Sequence, residues 1–82
     1  MPQRETQREY AERYRILGLR IAYYRRMADY TQEAFAEEIG RSVNFVAQVE
    51  VPGTAKGVSL ETLFRMSDAL GVPTCKLLED ES

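Results

Sequence analysis

Apolar residues recur at helical spacing along most of the chain, and short breaks divide this pattern into five segments. The first segment runs from near Gln3 to about Ala28, with an apolar stripe made of Leu17, Ile21, Tyr24 and Ala28. No segment alternates apolar and polar residues as a half-buried strand does, and no internal repeat is found. The pattern therefore predicts an all-α fold.

The second and third segments are short and are separated by a very tight break. Thr31 is predicted to cap the second helix, which ends at Gly40, because glycine readily takes the left-handed conformation after a helix. Ser42 is predicted to cap the third helix, from Val43 to about Glu50, with Val46 and Val49 facing inward. Two short helices joined by such a turn form the helix-turn-helix pattern, whose second helix can enter the major groove of DNA.

The last two helices follow a loop of residues 51–57 that contains one proline and two glycines. Ser59 is predicted to cap the fourth helix, and Gly71 to end it. The expected inward stripe of this helix consists of Leu60, Leu63, Met66 and Leu70. Thr74 is predicted to cap a final short helix that extends through Leu77 and Leu78.

The chain of 82 residues fits a single domain with one modest core. Residues 1–14 form a charged segment that is either an extension of helix one or a flexible arm. Residues 15–79 are expected to form the domain, followed by an acidic tail at 80–82.

Charge is distributed unevenly around a formal net charge of −2. Residues 1–28 contain seven arginines and three glutamates, whereas residues 29–82 contain four basic and ten acidic residues. An acidic total weakens non-specific DNA binding, since phosphate neutralisation supplies most of that affinity. It leaves specific binding open if the basic groups face the DNA.

Several function classes are disfavoured by what the sequence lacks. With no histidine and one cysteine, neither a zinc site nor a histidine general base can be assembled. We therefore expect no enzyme activity, metal or cofactor. No run of membrane-spanning length and no secretory signal core are visible, so a cytoplasmic location is the simplest expectation. Cys75 is expected to be a semi-buried filler in a reduced setting.

The run from Leu17 to Leu78 resembles the phage repressor/Cro type of helix-turn-helix domain, the XRE family. The matching positions are Ile21, Arg25, Thr31-Gln32-Glu33, Ala36, Ile39-Gly40, Ser42, Val46, Val49-Glu50, Ser59-Leu60-Glu61-Thr62-Leu63 and Ala69-Leu70-Gly71-Val72. The resemblance implies a five-helix, lambda-repressor-like domain that binds double-stranded DNA. It also implies that Gln32 contacts a phosphate and that helix three reads base edges with Val43, Asn44 and Gln48, and Ala47 beside them.

Other candidate residues surround this helix. Arg41 and Lys56 bracket it at positions suited to phosphates, and Ser42 joins this phosphate-contact set, although solvated loop charges are the alternative for the basic pair. The resemblance implies that Arg25 and Glu50 form a partly buried ion pair. The chain departs from the family at Asp29 and Arg41, at Val51-Pro52 and in a longer loop before Ser59.

These features predict a homodimeric DNA-binding regulator, specifically a repressor, with half-sites roughly 34 Å apart. Helix five, around Leu77 and Leu78, is the expected dimer surface, with the tyrosine-rich first helix as a second candidate. An antitoxin and a controller of a restriction system are variants of the same DNA function. A protein-interaction module that has lost DNA binding is the alternative from a different class.

Overall fold

A computed structural model describes residues 10–51 and 57–79 of the chain, and every regular element in these ranges is a helix. The five helices are α1 (Ala11–Met27), α2 (Gln32–Ile39), α3 (Val43–Glu50), α4 (Leu60–Leu70) and α5 (Thr74–Leu78). The predicted all-α, five-helix fold is therefore confirmed. Residues 1–9, the loop residues 52–56 and the tail at 80–82 lie outside the described residues, so predictions that fall on them stay predictions.

Local hydrogen bonds start three of the helices as the sequence predicts. In each case the hydroxyl of the preceding Ser or Thr accepts the backbone N–H three residues later. The pairs are Thr31 with Ala34 at 3.0 Å, Ser42 with Phe45 at 3.1 Å and Ser59 with Thr62 at 3.2 Å. These bonds satisfy backbone donors that the first turn of a helix leaves unpaired.

The start of α5 differs from the prediction. Thr74 is the first residue of the helix, Pro73 takes the preceding position, and no side chain caps the helix. The Thr74 hydroxyl instead lies 2.9 Å from the hydroxyl of Ser67 and so links α5 to α4. The prediction that Thr74 caps α5 was wrong, because proline supplies the extended residue before the helix and the threonine hydroxyl has another partner.

Three residues adopt the left-handed backbone conformation, each shortly after the end of a helix. Gly40 and Gly71 follow α2 and α4 at φ of 73° and 70°, as predicted. Asp29, in the turn between α1 and α2, has φ of 63°. Aspartate is among the few non-glycine residues that adopt this conformation at low cost, so the turn forms without glycine.

The core lies where the five helices meet, and its largest fully buried side chains are Phe35, Ile21, Ile39, Met66, Leu77 and Val46. Two residues assigned to the inward stripes are exposed instead. Ala28 lies beyond the end of α1, and Leu60 is the first residue of α4, with 66% of its surface exposed. The helical period was correct, but both residues lie at helix ends, where a side chain can turn away from the core.

Helix α1 crosses closely over the end of α3. Gly18 is buried in the middle of α1, and a Cβ atom placed there would overlap the backbone carbonyl oxygen of Val49. Glycine therefore allows the two backbones to approach at a distance that no side chain would permit. This contact sets the position of α3 on the domain.

Cys75 is exposed on α5, so the expectation of a semi-buried filler was wrong. The short helix turns Leu77 into the core, and a residue two positions away then faces outward. Among the described residues, none of the helices is both long enough and apolar enough to cross a membrane.

Candidate nucleic-acid interface

Helix α3 has one buried side and one accessible side. Val46 and Val49 are buried in the core, as predicted, and anchor the helix against α2 and α1. Val43 and Asn44 are exposed, and Ala47 and Gln48 are partly exposed. These last four residues follow the helical spacing i, i+1, i+4 and i+5, so they share the accessible side. We call them the α3 face.

Phe45 lies between the two sides and is buried, with 6% of its surface exposed. It belongs to the hydrophobic core. The guanidinium of Arg41 stacks on the Phe45 ring, with its Cζ atom 3.8 Å from the ring centroid. The α2–α3 turn is therefore fixed to the first turn of α3 by a cation–π contact.

A buried ion pair connects α1 to the last residue of α3. Arg25 donates from Nε and Nη2 to the two carboxylate oxygens of Glu50, at 2.7 and 3.1 Å, and both side chains are at least 91% buried. Arg25 also donates from Nη1 to the carbonyl oxygen of Tyr30, at 2.7 Å. The pair expected from the family resemblance is thus present, in the bidentate geometry that orients both partners.

Gln32 joins the same network, which the sequence did not indicate. Its Nε2 atom donates to Oε1 of Glu50 at 2.9 Å. The amide keeps a second N–H and a carbonyl oxygen for other partners. Since Gln32 is the first residue of α2, its position relative to α3 is set by a hydrogen bond between the two helices.

The remaining predicted phosphate contacts are positioned as follows. The Ser42 side chain is used as an acceptor in capping α3, which leaves its hydroxyl proton free to donate. Arg41 is exposed in the turn just before this cap, and its Nη1 donates to the Thr62 hydroxyl at 3.2 Å. Lys56 lies outside the described residues.

Helix α2, which packs against α3, is acidic on its exposed surface. The exposed charged side chains of α2 are Glu33, Glu37 and Glu38, and this helix has no basic residue. The described residues contain no group of three histidine, cysteine, aspartate or glutamate side chains that could hold a metal ion. In the first turn of α1, a hydrogen bond from Arg15 holds the pKa of exposed Glu12 below its usual range.

These features define a helix-turn-helix domain. They are the tight turn between α2 and α3, the accessible side of α3, and the hydrogen bonds of Glu50 that fix the end of α3 to α1 and α2. A family model described as "Helix-turn-helix" matches residues 21–77, which is well over half of the chain. The chain belongs to this family, in its Cro/repressor or XRE type. A comparison with curated proteins gave no significant match.

Membership in this family defines the general function. It is a family of DNA-binding regulators of the XRE type and not a family of enzymes. The matched range begins at Ile21 and ends at Leu77, so it includes α2, α3 and α4 and the pair of Arg25 and Glu50. The chain is thus a DNA-binding regulator.

Proposed function

We propose that this protein is a sequence-specific repressor that inserts α3 into the major groove of double-stranded DNA. The observation that carries the proposal is the accessible α3 face, opposite a side fixed in the core by Val46 and Val49. A short helix presented in this way can enter the groove without unpacking the domain.

Asn44 and Gln48 are the proposed main base contacts. They lie one helical turn apart, and an amide side chain can pair with adenine N6 and N7 through one donor and one acceptor. Val43 has 42% of its surface exposed at the start of α3, where its methyl groups suit contact with a thymine methyl. Ala47 is small enough to allow close approach of the helix to the base edges.

Backbone contacts are proposed for Gln32, Arg41 and Ser42, and for Lys56 from the loop. The first three belong to the starts of α2 and α3, where backbone N–H groups and the helix dipole favour an anion. Gln32 also makes the hydrogen bond to Glu50, so a phosphate would be held by the remaining amide donor or the backbone. These contacts fix the register of α3 and carry no sequence information themselves.

A homodimer is proposed to join two such domains, with half-sites roughly 34 Å apart. The support is a groove between α1 and α5 whose lining includes three mostly apolar side chains of the α1 end, Tyr10, Tyr14 and Leu17, and the exposed Leu78 of α5. Leu77 is fully buried in the core of one subunit, so the prediction that it forms part of the dimer surface was wrong. Replacing Leu78 with Glu is expected to shift sedimentation from dimer to monomer, whereas a monomeric wild type at tens of micromolar, with and without DNA, would contradict the dimer.

A protein-interaction module is the second candidate function. The net charge of −2 and the acidic exposed charges of α2 favour it, since both disfavour a polyanionic ligand. An antitoxin is a variant of this candidate that combines DNA binding with a protein partner. A cytoplasmic location is proposed for each of these functions.

Selection of bound sequences from a pool of randomised DNA duplexes tests the proposal. The wild type is expected to enrich a two-fold symmetric motif. Replacing Asn44 or Gln48 with Ala should then weaken binding to that motif by about 1–3 kcal/mol and change binding to random DNA little. Equal weakening on both DNAs would contradict base readout by these residues. Absence of DNA binding by the wild type at low salt would favour the protein-interaction module.

A further inference from the structure

Two contacts of its guanidinium group hold Arg41 in place. The group stacks over the Phe45 ring at 3.8 Å, and its Nη1 donates to the Thr62 hydroxyl at 3.2 Å. Phe45 lies in the first turn of α3 and Thr62 in the first turn of α4, so two helices position one side chain. We call these three residues the Arg41 cluster.

The Thr62 hydroxyl, which accepts the hydrogen bond from Arg41, is itself held in position. Thr62 is buried, with 6% of its surface exposed, and its Oγ1 atom also accepts a hydrogen bond from the Ser59 hydroxyl at 3.0 Å. Ser59 is in turn held by the backbone N–H of Thr62, which it caps. Arg41 therefore contacts an acceptor whose position does not depend on a flexible surface group.

These contacts hold the guanidinium without neutralising it. Among residues 10–51 and 57–79, no carboxylate forms an ion pair with Arg41, and its other N–H groups have no protein hydrogen-bond partner. A hydroxyl and an aromatic face attract a cation but leave its charge intact. The buried Arg25, by contrast, is matched by the carboxylate of Glu50.

We propose that Phe45 and Thr62 are positioning residues that preset Arg41 as a ligand for a DNA backbone phosphate; this proposal rests on the proposed DNA-binding function. Arg41 directly precedes Ser42, the cap of α3, where the helix N-terminus also attracts an anion. A long side chain that is already ordered loses less rotamer freedom when it binds, and arginine offers a planar donor array suited to phosphate.

The test measures binding to a labelled random-sequence duplex at several salt concentrations, by fluorescence anisotropy, so it needs no operator. Arg41→Ala should reduce the salt slope by about one unit, because one phosphate contact is lost. Thr62→Val keeps the shape of the side chain and removes the acceptor. It should weaken binding about two- to tenfold, the effect of ordering one long side chain on binding.

A double-mutant cycle separates positioning from simple stabilisation. Thr62→Val should have no further effect in the Arg41→Ala background, and Thr62→Ser, which restores the hydroxyl, should bind like the wild type. Arg15→Ala removes one exposed charge from α1, a helix that contains no member of the Arg41 cluster, and serves as the control with an unchanged salt slope expected. Thermal unfolding followed by circular dichroism confirms that every variant is folded at the assay temperature.

The possible failures are distinguishable. A wild type that does not bind the duplex even at low salt overturns the DNA-binding function and the Arg41 proposal together. If the wild type binds but Thr62→Val binds equally well, or weakens binding as strongly in the Arg41→Ala background, only the positioning proposal is overturned. Failure of Thr62→Ser to restore binding overturns it as well.

Discussion

The ion pair between Arg25 and Glu50 gives the sharpest prediction about stability. Glu50 accepts three hydrogen bonds, two from Arg25 and one from Gln32, and its side chain is only 5% exposed. Replacing Glu50 with Ala removes all three at once. The Arg25 guanidinium would keep its bond to the Tyr30 carbonyl but would remain buried without a counter-charge.

The size of the expected effect follows from this burial. Removing one partner of a buried pair costs about 3–5 kcal/mol, since the remaining charge is uncompensated. A domain of this size has a total stability of about 4–12 kcal/mol, taken at 0.05–0.15 kcal/mol per residue. Glu50→Ala should therefore lower the unfolding midpoint by at least about 12 °C, at roughly 4 °C or more for each kcal/mol.

Chemical and thermal unfolding of Arg25→Met, Glu50→Ala and the double variant measures the coupling between the two side chains. The double variant should be more stable than the sum of the single effects predicts, by about 2 kcal/mol or more, because it leaves no buried charge. Glu12→Gln removes the exposed pair with Arg15 and is the control, with an unchanged midpoint expected. Strictly additive effects of the Arg25 and Glu50 substitutions would show that the ion pair does not hold α1 against α3.

Two further predictions concern the backbone. Gly18→Ala should destabilise the domain, since overpacking against the Val49 carbonyl costs about 1–3 kcal/mol or more and outweighs a gain in helix propensity of about 1 kcal/mol. The control is Gly57→Ala, where a Cβ would meet nothing within 4 Å, and a higher midpoint for Gly18→Ala would contradict the close crossing. Asp29→Val should cost about 1–2 kcal/mol at φ of 63°, whereas Asp29→Asn should unfold like the wild type; equal midpoints for both would show that the turn is not left-handed.

Local signals made much of the fold predictable. Thr31, Ser42 and Ser59 are caps because a hydroxyl and the N–H three residues later are neighbours in sequence, and Gly40 ends α2 for an equally local reason. Helical periodicity then assigned Val46 and Val49 to the core. The accessible side of α3 follows directly from that assignment.

The contacts that position the site depend on residues far apart in sequence. Gln32 and Glu50 are 18 residues apart, and Arg41 and Thr62 are 21 apart, so no local pattern brings them together. Gly18 resembles an ordinary helix-weakening glycine until the path of α3 is known. The pair of Arg25 and Glu50 was anticipated from family resemblance rather than from periodicity.

The central claim is that DNA covers the side of the domain formed by the start of α2, the turn at Arg41 and the α3 face. Two-dimensional NMR of the ¹⁵N-labelled protein, titrated with the duplex selected by the wild type, tests it most directly. We predict shifted amide signals from Gln32 and from residues 41–48, with signals of the exposed α1 surface around Tyr23 unchanged by DNA contact. Shifts confined to α1, or no shifts at all at low salt, would contradict the claim.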